Sequence, residues 1–245
     1  MKKIFACALI LCSTIFPSCK KSSADLLSDE TARAASAELN RKISSLREKL
    51  GQAENDFERA GILTEIAGIE AEKGDFPACR KSSGEAVKYQ PNIPRSHYLL
   101  GASYLAAGRD DEAVSELIVS IGLDPGFAPS HFELGNAYYR KKSYAQALAE
   151  YDRAAALDPD LYMAHNNSGV IKSLMGDHSG AIKSFEAAVR SKPDFARPYK
   201  NMGIIYDIHL KDPASAIARY KKYLELRPNG EDRRLVKSWI EALGG

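Results

Sequence analysis

The sequence predicts an all-α solenoid of stacked helix pairs, and three observations carry that prediction. Pro91, Pro125, Pro159, Pro193 and Pro228 follow one another at spacings of 34, 34, 34 and 35 residues, a period that marks a chain built from repeated units. Between the prolines, one column holds Gly101, Gly135, Gly169 and Gly203, and another holds Ala113, Ala147, Ala181 and Ala216. A third, four residues further on, holds the bulky Leu117, Tyr151, Phe185 and Tyr220. Small residues let two helix backbones approach, and bulky ones fill the hollow between them, which describes a helix hairpin.

At the start of the chain, Met1-Lys2-Lys3 precede a largely apolar run from Ile4 to Phe16, then Pro17-Ser18-Cys19. A short basic head, about a dozen apolar residues and a small residue before a cut describe a secretory signal peptide over 1–18. The run is too short to span a bilayer as a mature helix. Phe16-Pro17-Ser18-Cys19 is similar to a relaxed bacterial lipobox, which implies that Cys19 is diacylated and becomes the new N-terminus. The alternative is ordinary cleavage nearby, with Cys19 left as a plain thiol. Lys2 and Lys3 are the only charges in 1–18, so without that segment the 34 basic and 32 acidic residues balance. No global basic field then draws in nucleic acid.

Residues 19–27, with Lys20-Lys21-Ser22-Ser23-Ala24, have the composition of a tether. Ser28 is expected to cap a helical segment over 28–59. There Leu39, Ile43, Leu46, Leu50, Ala53 and Phe57 form a heptad-like series that packs on the first repeat. Residues 60–93 read as a degenerate repeat. Leu63, Ile66, Ala67, Gly74, Cys79, Ala86 and Pro91 fill its columns, but Glu70 and Ser83 stand where tyrosine and a bulky residue are usual. Cys79, in the small-residue column, is expected to be a buried, inert thiol.

Four fuller repeats follow at 94–127, 128–161, 162–195 and 196–230. The first helix of a pair turns at Gly108, Lys142 or Gly176, and the second starts at a capping residue, Asp110, Ser143 or Asp177. The last pair restarts at Asp212-Pro213 and carries one extra residue between Tyr206 and Ala216. After Asn229-Gly230, the apolar stripe of Leu235, Val236, Trp239, Ile240 and Leu243 predicts a capping helix over 231–245.

These columns, with Leu100-Gly101, Tyr104, Ala113, Leu117 and Pro125 and their successors, resemble the tetratricopeptide repeat. The resemblance covers about residues 94 to 229. It implies a right-handed superhelix whose first helices line a concave groove for a partner's peptide or helix. Projected onto this chain, the groove face of the first full repeat is Arg95, Tyr98, Leu99 and Leu105. The second offers Phe132, Asn136, Tyr139 and Arg140. The third offers Met163, Asn166, Asn167, Val170 and Leu174, and the fourth Arg197, Lys200, Asn201, Ile204 and Ile208. Asn136, Asn167 and Arg197 fall where chaperone-binding members place three of five groups of a carboxylate clamp. Phe132 and Asn201 stand where the other two, both cations, belong, so the clamp is incomplete and generic peptide or protein binding is expected.

No HExxH, GxSxG, phosphate loop or CxxC pair occurs, so no standard catalytic or metal signature is present. His97, His131 and His165 recur at 34-residue spacing, but Tyr199 fills the same column in the last repeat, which points to a repeated packing role. The expectation is a protein that is not an enzyme, with no cofactor and no metal. It should be lipid-anchored in the bacterial envelope and bound to a protein or peptide partner there, and the resemblance to bacterial lipoproteins implies the outer membrane facing the periplasm. Lipid-anchored proteins of this kind include pilotins and adaptors for cell-wall enzymes. The runner-up is a glycan- or peptidoglycan-binding protein, in which Tyr98, Phe132 and Tyr139 stack on sugars. An unrecognised enzyme, built on clustered acids or histidines, is the third reading.

Overall fold

The computed structural model describes residues 29–245, with side chains from residue 35 onward. Cys19, Ser28 and the segments expected as signal peptide and tether lie outside the described residues. The described chain is helical, with no strand among its residues: α1 (Asp29–Gln52), α2 (Asp56–Glu72), α3 (Phe76–Tyr89), α4 (Pro94–Ala106), α5 (Asp110–Leu123) and α6 (Ala128–Arg140) form one compact unit ending at Ser143. A second unit, Tyr144–Gly245, holds α7 (Tyr144–Leu157), α8 (Tyr162–Leu174), α9 (His178–Ser191), α10 (Ala196–Ile204), α11 (Pro213–Leu226) and α12 (Arg233–Ala242). Within each unit every helix packs against the next in sequence, which is how an all-α tetratricopeptide solenoid buries its core.

The bulky column does the filling that its spacing predicts. Leu117, Tyr151 and Phe185 have no exposed surface and Tyr220 is 1% exposed, each worth about 1.5–3 kcal/mol of apolar burial. Gly169 and Gly203 face two of these rings so closely that the chain has room there for hydrogen alone.

The degenerate repeat has its own polar solution. Glu70 is buried, accepts a hydrogen bond from Ser82 at 2.7 Å, and pairs with Arg47 of α1 at 3.5 Å. An uncompensated buried carboxylate is costly, so α1 supplies the countercharge as well as Ile43 to the core. Ser83, in the bulky column, turns its hydroxyl back to the Cys79 carbonyl at 2.6 Å. Cys79 packs with Ala67 and Leu99. Burial first, then Glu70 and Asp75, push its thiol up to about 11, so it stays protonated and inert. Phe57 departs from the expected heptad-like series. Helix α1 ends at Gln52, Asn55 restarts the chain by accepting from the Glu58 amide at 2.8 Å, and Phe57 faces outward at 71% exposure.

The turns follow the repeat. Gly108 and Gly176 adopt φ of 76° and 87°, and Lys142 takes the same left-handed region at 60°. Asp177 caps α9 by accepting from the Gly180 amide at 2.8 Å, and Asp212 caps α11 through Ser215 at 3.0 Å. Asp110, expected as a cap, is instead the first helical residue of α5, and Arg140 pairs with it at 2.9 Å. The extra residue of the last repeat is absorbed by a π-helical turn, Ile205–Leu210, ending at Lys211 with φ 55°. A wider turn takes one more residue without moving the hairpin's register. Helix α12 buries Val236, Trp239 and Ile240, with Trp239 5.4 Å from the Tyr220 ring, while Leu235 of the expected stripe is 45% exposed.

Candidate functional site

The repeat places the expected site on the first helix of each pair. In the unit ending at Ser143 these helices are α4 and α6. Tyr98 packs edge-on against Phe127 with ring centroids 5.3 Å apart. Burial, then the nearby Glu133 carboxylate, push its phenol up to about 12, while Arg95 acts in the opposite direction. Glu133 itself is held above the usual carboxylate range by burial, against one hydrogen bond from the Asn136 amide at 3.0 Å. The sequence reading missed Glu133, although Leu99, Glu133, Asn167 and Asn201 share one column.

Several expected groove residues of this unit are structural. Leu99 is 4% exposed and packs on Ala67 and Cys79 of the preceding hairpin, because an apolar side chain in that column gains more from the core than from solvent. Leu105 and Tyr139 are buried too. Arg140 donates to the Leu105 carbonyl at 2.6 Å and pairs with Asp110 at 2.9 Å, bracing α6 to the hairpin before it. Arg95 is exposed and Phe132 half-buried.

In the unit Tyr144–Gly245 the first helices are α8 and α10, and they gather amides and cations. Asn166 donates to the Asn167 carboxamide oxygen at 3.1 Å, and its own Oδ1 has no partner among the described residues. Asn201 is more extreme. It has no exposed surface, and neither Nδ2 nor Oδ1 finds a hydrogen-bond partner among the described residues. An orphaned buried carboxamide costs about 1–3 kcal/mol per group, so this position is expensive to keep.

Beside it, Lys200 donates to Asp232 at 2.7 Å and sits 5.1 Å above the Tyr223 ring. The Tyr223 hydroxyl donates to both oxygens of the same carboxylate, at 2.7 and 2.9 Å. Burial alone would raise the Asp232 carboxyl, but Lys200 and Tyr223 together bring it below its usual range. Burial and then Asp232 raise the Tyr223 phenol. Arg197, half-buried, has its charge disfavoured first by burial and then by Arg227. Met163 is 39% exposed, whereas Val170 and Ile204, expected on the groove, have no exposed surface. Their apolar side chains are enclosed and offer a partner no area. Tyr223, Arg227 and Asp232 escaped the sequence reading because they belong to the last second helix and the linker after it.

The histidine column proves to be a repeated brace. His97, His131 and His165 each direct Nε2 to the carbonyl of the proline six residues earlier, at 2.8, 3.2 and 3.1 Å, and Tyr199 does the same with its hydroxyl at 3.3 Å. His97 also binds Glu116 through Nδ1 at 2.7 Å. That contact raises its pKa above 6.5, against burial and with help from the Pro91 carbonyl. His178 and His209, 31 residues apart, stack with ring centroids 3.8 Å apart. Burial, His178 and then Lys211 lower the pKa of His209.

These two histidines set opposite pH dependences. The His97 contribution is complete below 6.5 and is lost as pH rises through its elevated folded value. The His209 contribution is complete above 6.5 and is lost as pH falls through its depressed folded value. Urea midpoints measured from pH ~5 to ~8 should therefore change slope when each is replaced. His97→Gln should flatten the alkaline limb and His209→Gln the acidic limb. Unchanged limbs would contradict the assignment.

Among the described residues, no group of three or more His, Cys, Asp or Glu is placed to hold a metal ion. None of the described helices is long and apolar enough to cross a membrane.

Sequence profiles described as Tetratricopeptide repeat match residues 128–161, and residues 69–126 and 175–231. No curated protein matches the chain in sequence. Among solved structures, MamA is similar at 28% identity, over 66% of this chain and 95% of that one, with a TM-score of 0.61. YrrB, described as a tetratricopeptide protein with an unusual peptide-binding site, is similar at 16% identity over 72% of this chain and 91% of its own, with a TM-score of 0.61. PilF of Pseudomonas aeruginosa is similar at 17% identity over 75% of this chain and 90% of its own, with a TM-score of 0.62. At such identities, the last two likenesses speak to the fold alone.

Proposed function

The chain belongs to the tetratricopeptide repeat family, and from that premise we propose that it is a membrane-anchored interaction scaffold that binds a partner's peptide or helix along the first helices of its repeats. The observation that carries this reading is the composition of α8 and α10. Arg197, half-buried, and Met163, exposed, keep surface there for a partner, beside the buried Asn166, Asn167, Lys200 and Asn201, two of whose carboxamides have unsatisfied groups. Carboxamides complement peptide groups, and cations add orientation. The scaffold performs no turnover of its own. Cys19 carries the anchor, on the support of the Phe16-Pro17-Ser18-Cys19 sequence and the signal-like run before it, and the partner is an envelope protein met at the outer membrane. The sugar-binding alternative loses ground because Tyr98 is committed to Phe127 and Tyr139 is buried.

Both parts are tested in one preparation. In detergent phase separation, the wild-type chain should enter the detergent phase and Cys19→Ala the aqueous phase. Unchanged partitioning would rule out the lipid anchor. Crosslinking the same envelopes should give a discrete adduct with one protein. Co-sedimentation with purified peptidoglycan in place of such an adduct would favour the sugar reading.

A further inference from the structure

Beyond the peptide-binding role, we infer that the cleft between α3 and α4 is a binding site for a phosphate monoester. The cleft has a volume of about 420 Å³, and α3 lines it with Arg80, Lys81, Glu85 and Lys88. Sites for small ligands run to about 300–1,000 Å³. The cleft owes its opening to Gly84. That glycine lies inside α3 without a left-handed φ, and a methyl group added there would meet only Leu100 Cδ1, at 4.0 Å, an ordinary contact. Neither backbone nor packing therefore requires glycine, which weakens a helix interior relative to alanine. The same column in the other second helices holds Ile118, Asp152, Glu186 and Lys221. Gly84 alone is bare there, and the room a side chain would take is part of the cleft.

Charge then selects the ligand. Arg80 and Lys88 stand four residues either side of Gly84, one helical turn or about 6 Å along the axis, and Lys81 follows Arg80. Lys81 and Lys88 are exposed and Arg80 is half-buried. None of the three makes a hydrogen bond or ion pair among the described residues. Glu85 is the one acid in the lining, so two positive charges are in excess. A phosphate monoester carries about −1.5 to −2 near pH 7 and matches that excess. A carboxylate or a phosphodiester brings one charge, and a neutral sugar none. Arg80 offers a planar fork to phosphate oxygens, and the lysines act as point charges. Tyr104 completes the wall. The Arg109 guanidinium, itself committed to Glu112 at 2.6 Å, lies 4.6 Å from the Tyr104 ring centroid. A lipid headgroup and a soluble ester present the same phosphate to this cleft.

The test is titration calorimetry on the full chain in mild detergent, with two pairs of probes. The soluble pair is methyl phosphate and dimethyl phosphate; the lipid pair is dioctanoyl phosphatidic acid and dioctanoyl phosphatidylglycerol. In each pair the first is a monoester and the second a diester. The monoester should bind about tenfold more tightly than its diester, the scale of one charged hydrogen bond, and added salt should erode the difference. Gly84→Leu should fill the cleft and abolish binding while keeping wild-type helicity, since leucine favours a helix. Lys88→Gln, an exposed change, should weaken the monoester about tenfold. A preference in both pairs supports the site and makes the phosphate itself its ligand. A preference in the lipid pair alone supports it with a headgroup as the source, and one in the soluble pair alone with a free ester. Equal binding of monoester and diester in both pairs, binding that survives Gly84→Leu or is unchanged in Lys88→Gln, or no binding of any probe overturns the inference and leaves the peptide-binding reading untouched.

Discussion

Gly203→Ala is expected to destabilise the protein by about 1–2 kcal/mol, although the substitution usually favours a helix. A methyl group at Gly203 would lie 2.5 Å from the Cδ1 and Cε1 atoms of Tyr220, a ring 1% exposed. Nothing so enclosed moves aside freely, and overpacking of this kind costs about 1–3 kcal/mol. The helix-propensity gain of alanine over glycine recovers only about 0.5–1 kcal/mol of that. The sign of the effect is therefore set by the ring. Gly61→Ala supplies the opposite case: Gly61 lies inside α2 with no atom within 4 Å of the added carbon, so a gain of about 0.5–1 kcal/mol is expected there. Combining Gly203→Ala with Tyr220→Leu should cost less than the two changes added separately, because the second removes the atoms that the first collides with. Urea unfolding followed by circular dichroism reads the four variants against the wild type. A Gly203→Ala chain as stable as the wild type would show that the glycine column does not hold the hairpins together.

The repeat was legible because its cause is local and recurrent. The period and the glycine, alanine and bulky columns each carry a packing instruction that the chain states four times, and the left-handed turn residues and the one inserted residue fit the same register. The terminal repeat was less legible. Glu70 and Ser83 look like defects in a column, and only the proximity of Arg47 and Ser82 shows how a buried carboxylate is satisfied there. The site was legible as a face but not residue by residue. Column position indicates which helix a side chain sits on, but not whether that side chain turns inward. Leu99, Val170 and Ile204 turn inward, and Arg140 is drawn aside by Asp110 and the Leu105 carbonyl. Glu133 could have been found by completing its column. Arg227, at the end of the last second helix, and Asp232, in the linker after it, could not, since the groove columns are drawn from first helices, and the stacking of His178 on His209 follows no spacing rule.

The second large effect is all-or-none and concerns which face of the protein meets a partner. Met163 on α8 and Phe132 on α6 belong to first helices. Ile118 and Leu123 on α5, 50% and 40% exposed, belong to a second helix and are at least as accessible. Exposure alone would favour reaction at α5, and apolar surface there would be as sticky as any on the first helices. A binding face built from first helices makes the contrary demand: contact where amides and cations are gathered, and none where the repeats present their outer surface.

Photo-crosslinking with benzophenone placed in turn at positions 132, 163, 118 and 123, in native envelopes, measures this directly. Positions 132 and 163 should each yield a discrete adduct, and positions 118 and 123 should yield none. Adducts at 118 and 123, with silence at 132 and 163, would mean that the partner meets the second helices and that the first-helix face is not the working surface.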